Sequence, residues 1–406
     1  MKPSASLHIA VIGAGPVGLA LALLAARVLP RAQLSLFDAR PAESDVAADP
    51  RALALSLGSI QLLERVNAWD PARAEPIREV RVSQQAPGLA LPGWLGRPAV
   101  HLTAAALGLP MLGAVLSYGA LVAPMQRAWE AAVRAEPARL HSRFGVPVAA
   151  LKDIPGGVEV DVGVAEDCNL AVVAEGGVFS AQKLADVRHD YRQDAWVGRV
   201  SLDGATTGLA VERFTRYGPA ALLPLPRSAD GLQHAALVWC VPRHDDPVRE
   251  LDERQRLAVL NTVFDPRVGR IAAVSSLKCF PLGLAAQRSL VRGRQVRIGN
   301  AAQTLHPVAG QGLNLGLRDA FALATALRDA IDASRAAPDL DAALSRVAWQ
   351  RAPDRWAMIA ATDFLARSFT WQTPGIATLR GAGMAMLDRL PPLKNALARR
   401  MMFGSR

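Results

Sequence analysis

The chain has 406 residues, of which 51% are hydrophobic and 20% are charged, and its formal net charge is +10. This composition excludes a largely disordered protein, because it supplies enough apolar side chains for a large buried core. The three cysteines, Cys168, Cys240 and Cys279, lie far apart and form no CxxC pair, which excludes a disulfide framework and a cysteine-rich zinc module.

The first predicted elements are a strand, a tight turn and a helix. An apolar strand over 7–12 leads into the sequence GAGPVG at 13–18, and an Ala- and Leu-rich helix over 16–29 follows. A second strand, 33–37, ends at Asp38, twenty residues beyond the last glycine of the turn. The glycines permit the turn and the close approach of a pyrophosphate to the helix N-terminus, and the acid accepts hydrogen bonds from ribose hydroxyls. This dinucleotide fingerprint predicts a site for FAD or NAD(P).

Two stretches contain no Asp, Glu, Lys or Arg: residues 9–26 and 98–126. Each is about as long as a membrane-spanning helix or longer. Glycines and prolines interrupt both runs where a spanning helix would need continuity. We therefore expect the first run to be the buried strand, turn and helix. The second is expected to be loop and strand over an apolar pocket.

The middle of the chain alternates short β-rich runs with turn residues, which predicts an antiparallel sheet. The runs lie at 196–202, 209–214, 220–225 and 235–241. Helical periodicity resumes at 250–264 and again at 339–366.

A second glycine-rich loop follows a short strand at 295–298, and a helix is predicted to begin near Gly312. A loop of small residues aimed at a helix N-terminus is an anion site. It lies almost 300 residues from the first site, and a simple NAD dehydrogenase has no use for it. A flavin does, because the reduced ring carries negative charge that a helix N-terminus stabilises. The two loops together therefore favour FAD.

The carboxyl end is basic and amphipathic. Between 376 and 406 there are six basic residues and one acid, interspersed with Leu and Met. Such an end can rest on an anionic membrane surface, or it can form a solvated helix that packs on its own domain. Elsewhere the basic residues are dispersed and lack interleaved aromatic residues, so no binding of nucleic acid is predicted.

Five stretches, taken together, resemble the class A flavoprotein monooxygenases, and within that class the ubiquinone-biosynthesis hydroxylases, most of all their polyprenyl-methoxyphenol branch. They are distributed over almost the whole chain, at 11–18, 49–56, 218–225, 299–319 and 388–394. The sequence GNAAQTLHP at 299–307 is the stretch most specific to this class. The chain departs from the class at Asn300 and Gln303, where most members carry Asp and often His, and at Glu175, which replaces the Asp of a middle Asp-Gly motif.

The resemblance implies an α/β fold: an FAD-binding Rossmann-like domain of the p-hydroxybenzoate hydroxylase type, with an inserted antiparallel-sheet substrate domain and C-terminal helices. The FAD-binding domain would be discontinuous, with the segments 1–75, 101–180 and 281–368. The substrate domain would comprise 76–100 and 181–280, and 369–406 would form a basic amphipathic helical tail.

The resemblance also implies the site residues. The FAD pyrophosphate would lie at Gly13, Ala14, Gly15 and Gly18, and the adenosine ribose would lie at Asp38. Arg51 would reach a flavin phosphate or the ring edge, Glu175 would take the place of the middle motif's Asp, and Asn300 would contact the ribityl or pyrophosphate portion. The isoalloxazine would lie beside the loop of Ala309, Gly310, Gln311, Gly312, Leu313 and Asn314. Pro307 and His306 are the candidate catalytic residues, and no metal site is predicted. Two alternatives stay open: an ordinary ion pair for Arg51, and a loop histidine bonded to backbone for His306.

The reaction implied by the resemblance starts with reduction of FAD by NADH or NADPH. The reduced flavin then takes up O2 to form a C4a-hydroperoxide, whose distal oxygen attacks an electron-rich phenol. The expected substrate is a polyprenyl-phenol intermediate of ubiquinone biosynthesis. The expected location is cytoplasmic and peripheral at the inner membrane, beside other ubiquinone-biosynthesis proteins. A soluble aromatic substrate, or a flavin-binding scaffold with little turnover, are the alternatives.

Overall fold

The structure is a computed structural model, and it describes residues 7–85, 99–176, 185–227, 232–334, 338–368 and 375–404. In these ranges the chain forms eight α-helices: α1 (Pro16–Val28), α2 (Leu57–Arg65), α3 (Tyr118–Ala135), α4 (Glu253–Val263), α5 (Gln311–Asp332), α6 (Leu340–Ser368), α7 (Ile376–Asp388) and α8 (Pro391–Phe403). None of the helices in the described ranges combines the length and the apolar character that crossing a bilayer requires.

A six-stranded sheet carries the first glycine-rich turn. Its order is β19 (Val291–Arg292), β20 (Gln295–Arg297), β12 (Leu170–Val173), β1 (His8–Ile12), β2 (Gln33–Asp38) and β8 (Leu140–Phe144). All neighbours in this sheet are parallel except the first pair. Parallel strands that are covered on both faces read as continuous apolar runs, and four of the five residues of β1 are buried.

Helix α1 packs against α5 and α3 on one face of this sheet. Every residue from Val17 to Ala26 is buried, because a helix that is apolar on all sides has to be enclosed by other elements. This explains why the first uncharged run has the composition of a membrane span. The run is the centre of the largest core cluster.

Two small antiparallel sheets flank this core. One consists of β9 (Ala150–Ile154), β10 (Gly157–Asp161) and β11 (Ala165–Cys168). The other has the order β3 (Ala52–Ser56), β7 (Gly113–Ser117) and β4 (Glu75–Ile77).

A nine-stranded sheet forms a second layer. Its order is β21 (Gln303–Thr304), β18 (Lys278–Ala286), β13 (Val187–Asp203), β16 (Gln233–Pro242), β15 (Pro219–Leu225), β14 (Leu209–Phe214), β5 (Glu79–Gln84) and β6 (Ala99–Thr103), with β17 (Arg270–Val274) beside β13. All pairs are antiparallel except β14 with β5. The register between β13 and β18 shifts after Asp190, and Arg192 has a φ of 53° at this bulge.

The structure confirms the predicted fold class and most predicted elements. The strands expected at 196–202, 209–214, 220–225 and 235–241 are parts of β13, β14, β15 and β16, and the helix expected near Gly312 begins at Gln311. One expectation is wrong in part: the segment 98–126 was expected to be loop and strand, yet it becomes helix α3 from Tyr118 onward. Pro124 lies inside this helix, which accommodates the lost hydrogen bond. Where the two domains divide stays a prediction.

Candidate functional site

The two glycine-rich loops lie side by side. Because β1, β2, β12 and β20 are parallel neighbours, their carboxyl ends meet at one edge of the sheet, where α/β proteins bind ligands. Backbone bonds join the ends directly: the Gly13 N–H donates to the Phe37 carbonyl at 2.7 Å, and the Ile298 N–H donates to the Val173 carbonyl at 3.0 Å. A Cβ on Gly316 of α5 would lie 2.7 Å from the Gly299 Cα and 2.9 Å from a methyl of Val17 in α1.

The first loop is closed by glycines that have no room for a side chain. Gly13 has a φ of +104°, and a Cβ there would lie 2.9 Å from the backbone nitrogen of Glu175. A Cβ on Gly18 would collide with the carbonyl oxygen of Gly13. Gly15 is the N-cap of α1, and no side chain caps this helix. The helix N-terminus therefore keeps its backbone N–H groups in a position to meet an anion.

Asp38 is buried at the end of β2 and bonds to two neighbours. One oxygen accepts the Ala14 N–H at 2.6 Å, and the carboxylate accepts three N–H groups of Arg40, from its backbone and its guanidinium. Burial raises the pKa of Asp38, but the bonds from Arg40 and Ala14 outweigh it and lower the pKa below its ordinary value. Arg40 was not among the predicted site residues, although an arginine two residues beyond the acid is a signal that the sequence contains.

Arg51 lies on the same side of the site. Its guanidinium pairs with Asp49 at 2.7 Å and lies 4.4 Å from the ring centre of Tyr118. Hydrogen bonds from Arg51 lower the pKa of Asp49, and burial raises the pKa of Tyr118. The Tyr118 hydroxyl would be 3.8 Å from a Cβ on Gly15. The ion pair left open as an alternative for Arg51 is therefore present, and Tyr118 is a neighbour that sequence reasoning missed.

Glu175 and Asn300 lie where the two loops approach each other. The Glu175 backbone touches the Gly13 turn, and a Cβ on Gly176 would lie 3.9 Å from Nδ2 of Asn300. Glu175 is exposed, but partial burial of its carboxyl group and the charge of Asp38 raise its pKa. The rest of the predicted middle motif, 177–180, lies outside the described residues.

The segment from Pro307 to Asn314 completes the second loop and forms the first turn of α5. Ala309 belongs to a short 3-10 helix, Val308–Gly310, and Gly310 has a φ of 58° as the N-cap of α5. Leu313 packs partly against the core. A Cβ on Gly312 would meet no atom within 4 Å, so space is open beside the helix N-terminus at this residue.

The side chain of Asn314 joins α5 to the turn between β3 and α2. Its Oδ1 accepts the Ser56 N–H at 2.8 Å and the Ser59 hydroxyl at 2.7 Å. Its Nδ2 donates to the carbonyls of Ala54 at 3.0 Å and Gly310 at 3.1 Å. These four bonds use the hydrogen-bonding capacity of the amide. The side chain therefore fixes the loop.

His306 is buried beneath the same loop. Its Nδ1 accepts the Val308 N–H at 3.3 Å, so Nε2 carries the proton and donates to Gln193 Oε1 at 3.0 Å. The ring also meets the edge of Tyr191, with centroids 5.1 Å apart. Burial lowers the pKa of His306 to about 4. This geometry supports the loop-histidine alternative, since both nitrogens already hold protein groups.

The pH dependence of unfolding tests this arrangement. The unfolded chain binds a proton on His306 near pH 6.5 and the folded chain only near pH 4, so stability is lost as the pH falls through this window. The loss from this group is at most about 3 kcal/mol. We expect His306→Gln to flatten the dependence of the unfolding free energy between pH 6.5 and 4, measured by urea denaturation. An unchanged slope would contradict a neutral, buried His306.

A mostly apolar cavity of about 210 Å³ opens beside the Pro307–Asn314 loop. Its walls come from β3, β7, the nine-stranded sheet and α8, and include Leu55, Ile77, Val80, Leu102, Leu112, Ala210, Leu223, Val238, Pro307, Gly310, Gln311, Asn314, Ala398, Met401 and Met402. The apolar pocket expected around 98–126 is therefore present. The part played by the C-terminal helix was not foreseen.

These features fit FAD. Two helices point N-termini without side-chain caps at one sheet edge, and Arg40 and Arg51 lie nearby. Gly312 borders open space, and a Cβ on Gly15 would approach only the Tyr118 hydroxyl, at 3.8 Å, whereas Gly18 is closed by packing. An extended dinucleotide needs such a cradle of backbone with phosphate sites at helix ends.

Comparison with known proteins agrees with this assignment. A family model described as "FAD binding domain" matches residues 179–356. The ubiquinone hydroxylase UbiL of Rhodospirillum rubrum is 30% identical over 406 residues, which covers 97% of this chain and 88% of that protein. The 3-demethoxyubiquinol 3-hydroxylase of Escherichia coli is 28% identical over 399 residues, which covers 95% of this chain and 96% of that protein. An uncharacterised Synechocystis protein is 33% identical over 241 residues, and this match spans only 56% of its length.

The fold also resembles solved structures. Klebsiella pneumoniae HpxO, solved with FAD and uric acid, superposes with a TM-score of 0.70 at 18% identity, over 99% of this chain and 98% of that one. At this identity the likeness concerns the fold alone.

Proposed function

Since the chain belongs to the FAD-dependent monooxygenases of the ubiquinone-biosynthesis hydroxylase family, we propose that it hydroxylates the ring of a polyprenyl-phenol with NADH or NADPH and O2. The observation that carries this proposal is the position of the apolar cavity. The cavity shares Pro307, Gly310 and Gln311 with the loop proposed to border the isoalloxazine. A ring bound there would lie next to the cofactor.

FAD held at the two loops would supply electron transfer from the nicotinamide and activation of O2, with one oxygen atom going to the ring and the other to water. The chain's own residues position the reactants and exclude water. Pro307 and the backbone of Gly310 and Gln311 form the shared border, and the Val and Leu side chains of the sheet keep the cavity apolar. His306 stays neutral and holds the loop. The FAD contacts of Gly13, Asp38 and Asn300 are part of the proposal.

A single-turnover reaction with isotopically labelled O2 tests the proposal. We expect one labelled oxygen atom in the product when the FAD-loaded protein receives NADH or NADPH and a prenylated methoxyphenol. Product without label would contradict a monooxygenase reaction. No oxidation of the nicotinamide and no bleaching of the flavin, with every phenol tried, would favour the scaffold alternative. A soluble phenol that reacts as fast as the prenylated one would favour the soluble-substrate alternative.

The C-terminal hairpin of α7 and α8 is the part of the molecule that we propose to contact the membrane. It exposes an apolar face and basic side chains together: Leu379, Met386, Leu390, Leu393 and Leu397 with Arg389, Arg399 and Arg400. Apolar side chains that enter the acyl boundary and cations that meet anionic headgroups favour surface binding. The expected location at the inner membrane, beside other ubiquinone-biosynthesis proteins, stays part of the proposal.

Flotation with anionic liposomes checks the membrane contact. We expect the unaltered protein to float and Leu393→Glu/Leu397→Glu to bind about a hundredfold more weakly, because two leucines lose their transfer free energy. Val164→Glu is the matched control, since Val164 is 74% exposed and lies far along the chain in the β10–β11 turn. Equal flotation of the double variant and the control would overturn the assignment of this face.

A further inference from the structure

The cavity beside the loop is too small for the whole substrate that the proposed function requires. Its volume is about 210 Å³, whereas pockets that hold drug-sized ligands have about 300–1,000 Å³. A phenol ring fits, but a tail of several isoprene units does not. If the proposed function holds, on which this inference rests, the tail has to extend beyond the cavity, past one of the elements that line it.

Most walls of the cavity cannot open without breaking a sheet. Val80, Ala210, Leu223 and Val238 belong to strands that are bonded on both sides in the nine-stranded sheet. The opposite wall is the loop fixed by Asn314. Opening any of these four strands of the sheet would break several backbone hydrogen bonds at once.

Helix α8 is the wall element that belongs neither to a sheet nor to that loop. It contributes Ala398, Met401 and Met402 to the cavity and exposes Leu393 and Leu397 outside. The helix can move as a unit because its backbone bonds are internal. Unbranched methionine side chains adapt to ligands of variable shape. The helix therefore separates the cavity from the face proposed to meet the membrane.

Side chains from the β3–α2 turn and from α5 bind the last turn of α8. The Ser56 hydroxyl donates to the Met402 carbonyl at 3.0 Å, and Arg318 Nη2 donates to the Met401 carbonyl. A cation at a helix C-terminus is favourable, because it meets the free carbonyls and the negative end of the dipole. Near the same helix end, the Arg399 guanidinium donates to the Leu107 carbonyl at 3.0 Å.

Arg318 is itself held by a buried ionic network. Its Nη1 lies 3.3 Å from Asp354, which also accepts Arg351 at 2.8 Å, and Arg351 pairs with Asp319 at 2.8 Å. Asp319 accepts the Gln303 amide at 3.0 Å. The network thus runs from the second glycine-rich loop to the end of α8, so the end of this helix and the loop share one support.

We propose that the last turn of α8 is the exit for the prenyl tail, that Ala398 determines which tails pass, and that Arg318 is the positioning residue that holds the turn against the cavity. A tail that leaves here would emerge beside α8, whose Leu393 and Leu397 are exposed. The exit explains why an amphipathic helix forms one wall of a cavity lined mainly by strands.

Two small-to-large changes on α8 test the exit. Ala398 is buried at the cavity, and Ala396 is exposed on the same helix, so Ala396→Leu is the matched control for Ala398→Leu. The readout is the dissociation constant of two ring-identical methoxyphenols, one with a long prenyl tail and one without, from the absorbance change of bound flavin. We expect Ala398→Leu to weaken the tailed ligand about tenfold or more and the tail-free ligand far less, a factor typical of overpacking.

Arg318 is tested with the same pair of ligands. We expect Arg318→Gln to change the ratio of the two dissociation constants and Arg318→Lys to restore it, with the FAD content and melting temperature recorded for each variant. If the unaltered protein binds neither phenol, the proposed function fails. If it binds both, and Ala398→Leu weakens both equally or neither, the exit is overturned. A ratio that Arg318→Gln leaves unchanged overturns the role of Arg318.

Discussion

The Gly18→Ala protein is expected to lose its FAD and to unfold more easily than the unaltered protein. The new Cβ would collide with the carbonyl oxygen of Gly13, a backbone atom that cannot swing away. Helix α1 would have to move off the turn, and overpacking of this kind costs about 3 kcal/mol. If this free energy is lost only in the FAD-bound protein, because the apo protein can relax around the new Cβ, FAD affinity falls about a hundredfold.

The measurement is an FAD titration of the apo protein together with urea denaturation. Gly383→Ala is the matched control, because Gly383 is also in a helix and a Cβ there would meet nothing within 4 Å. The control is expected to bind FAD normally and to be more stable by about 1 kcal/mol, the difference in helix propensity. Normal FAD binding by Gly18→Ala would show that the turn is not used as proposed.

The second large effect is expected for Asn314→Asp. This change keeps the shape and the two acceptor bonds but replaces the Nδ2 donor with an oxygen that faces the carbonyls of Ala54 and Gly310. Asn314 is 2% exposed, so the change places an unpaired charge in the interior. We expect the unfolding free energy to fall by about 4 kcal/mol and FAD affinity to fall with it, because the second loop loses its support.

Asn67→Asp is the control for Asn314→Asp. Asn67 is exposed, with a φ of 54° that Asp also tolerates. Its unfolding free energy should stay within about 0.5 kcal/mol of the unaltered protein. A similar small change at Asn314, measured by urea denaturation at neutral pH, would mean that the four bonds of its side chain do not fix the loop.

Local patterns were enough to predict the parts of the site that a short stretch of chain determines. The strand, turn, helix and acid around 7–38 and the loop before α5 each carry their own geometry, because glycine spacing and apolar periodicity act within a few residues. The sheet then brings them together. The parallel pairing of β1 with β12, and of β12 with β20, follows from burial of apolar strands.

Residues whose partners lie far along the chain could not be predicted in this way. Asn314 was assigned beside the isoalloxazine, but its side chain bonds to Ser56 and Ser59, more than 250 residues away. His306 bonds to Gln193, which lies at the bulge of β13 and is 113 residues away along the chain. The C-terminal helices were expected as a basic tail, and nothing local indicated that Met401 would line a cavity.

The central claim is that one FAD lies across both glycine-rich loops, and FAD titration of Gly312→Val tests it most directly. The added side chain meets no protein atom within 4 Å of its Cβ, and glycine is the weaker helix former. The apo protein should therefore unfold at the same urea concentration as the unaltered one or higher, while its FAD affinity falls about tenfold or more, because the valine occupies space that the flavin needs. Unchanged FAD affinity in a fully folded Gly312→Val protein would contradict the account.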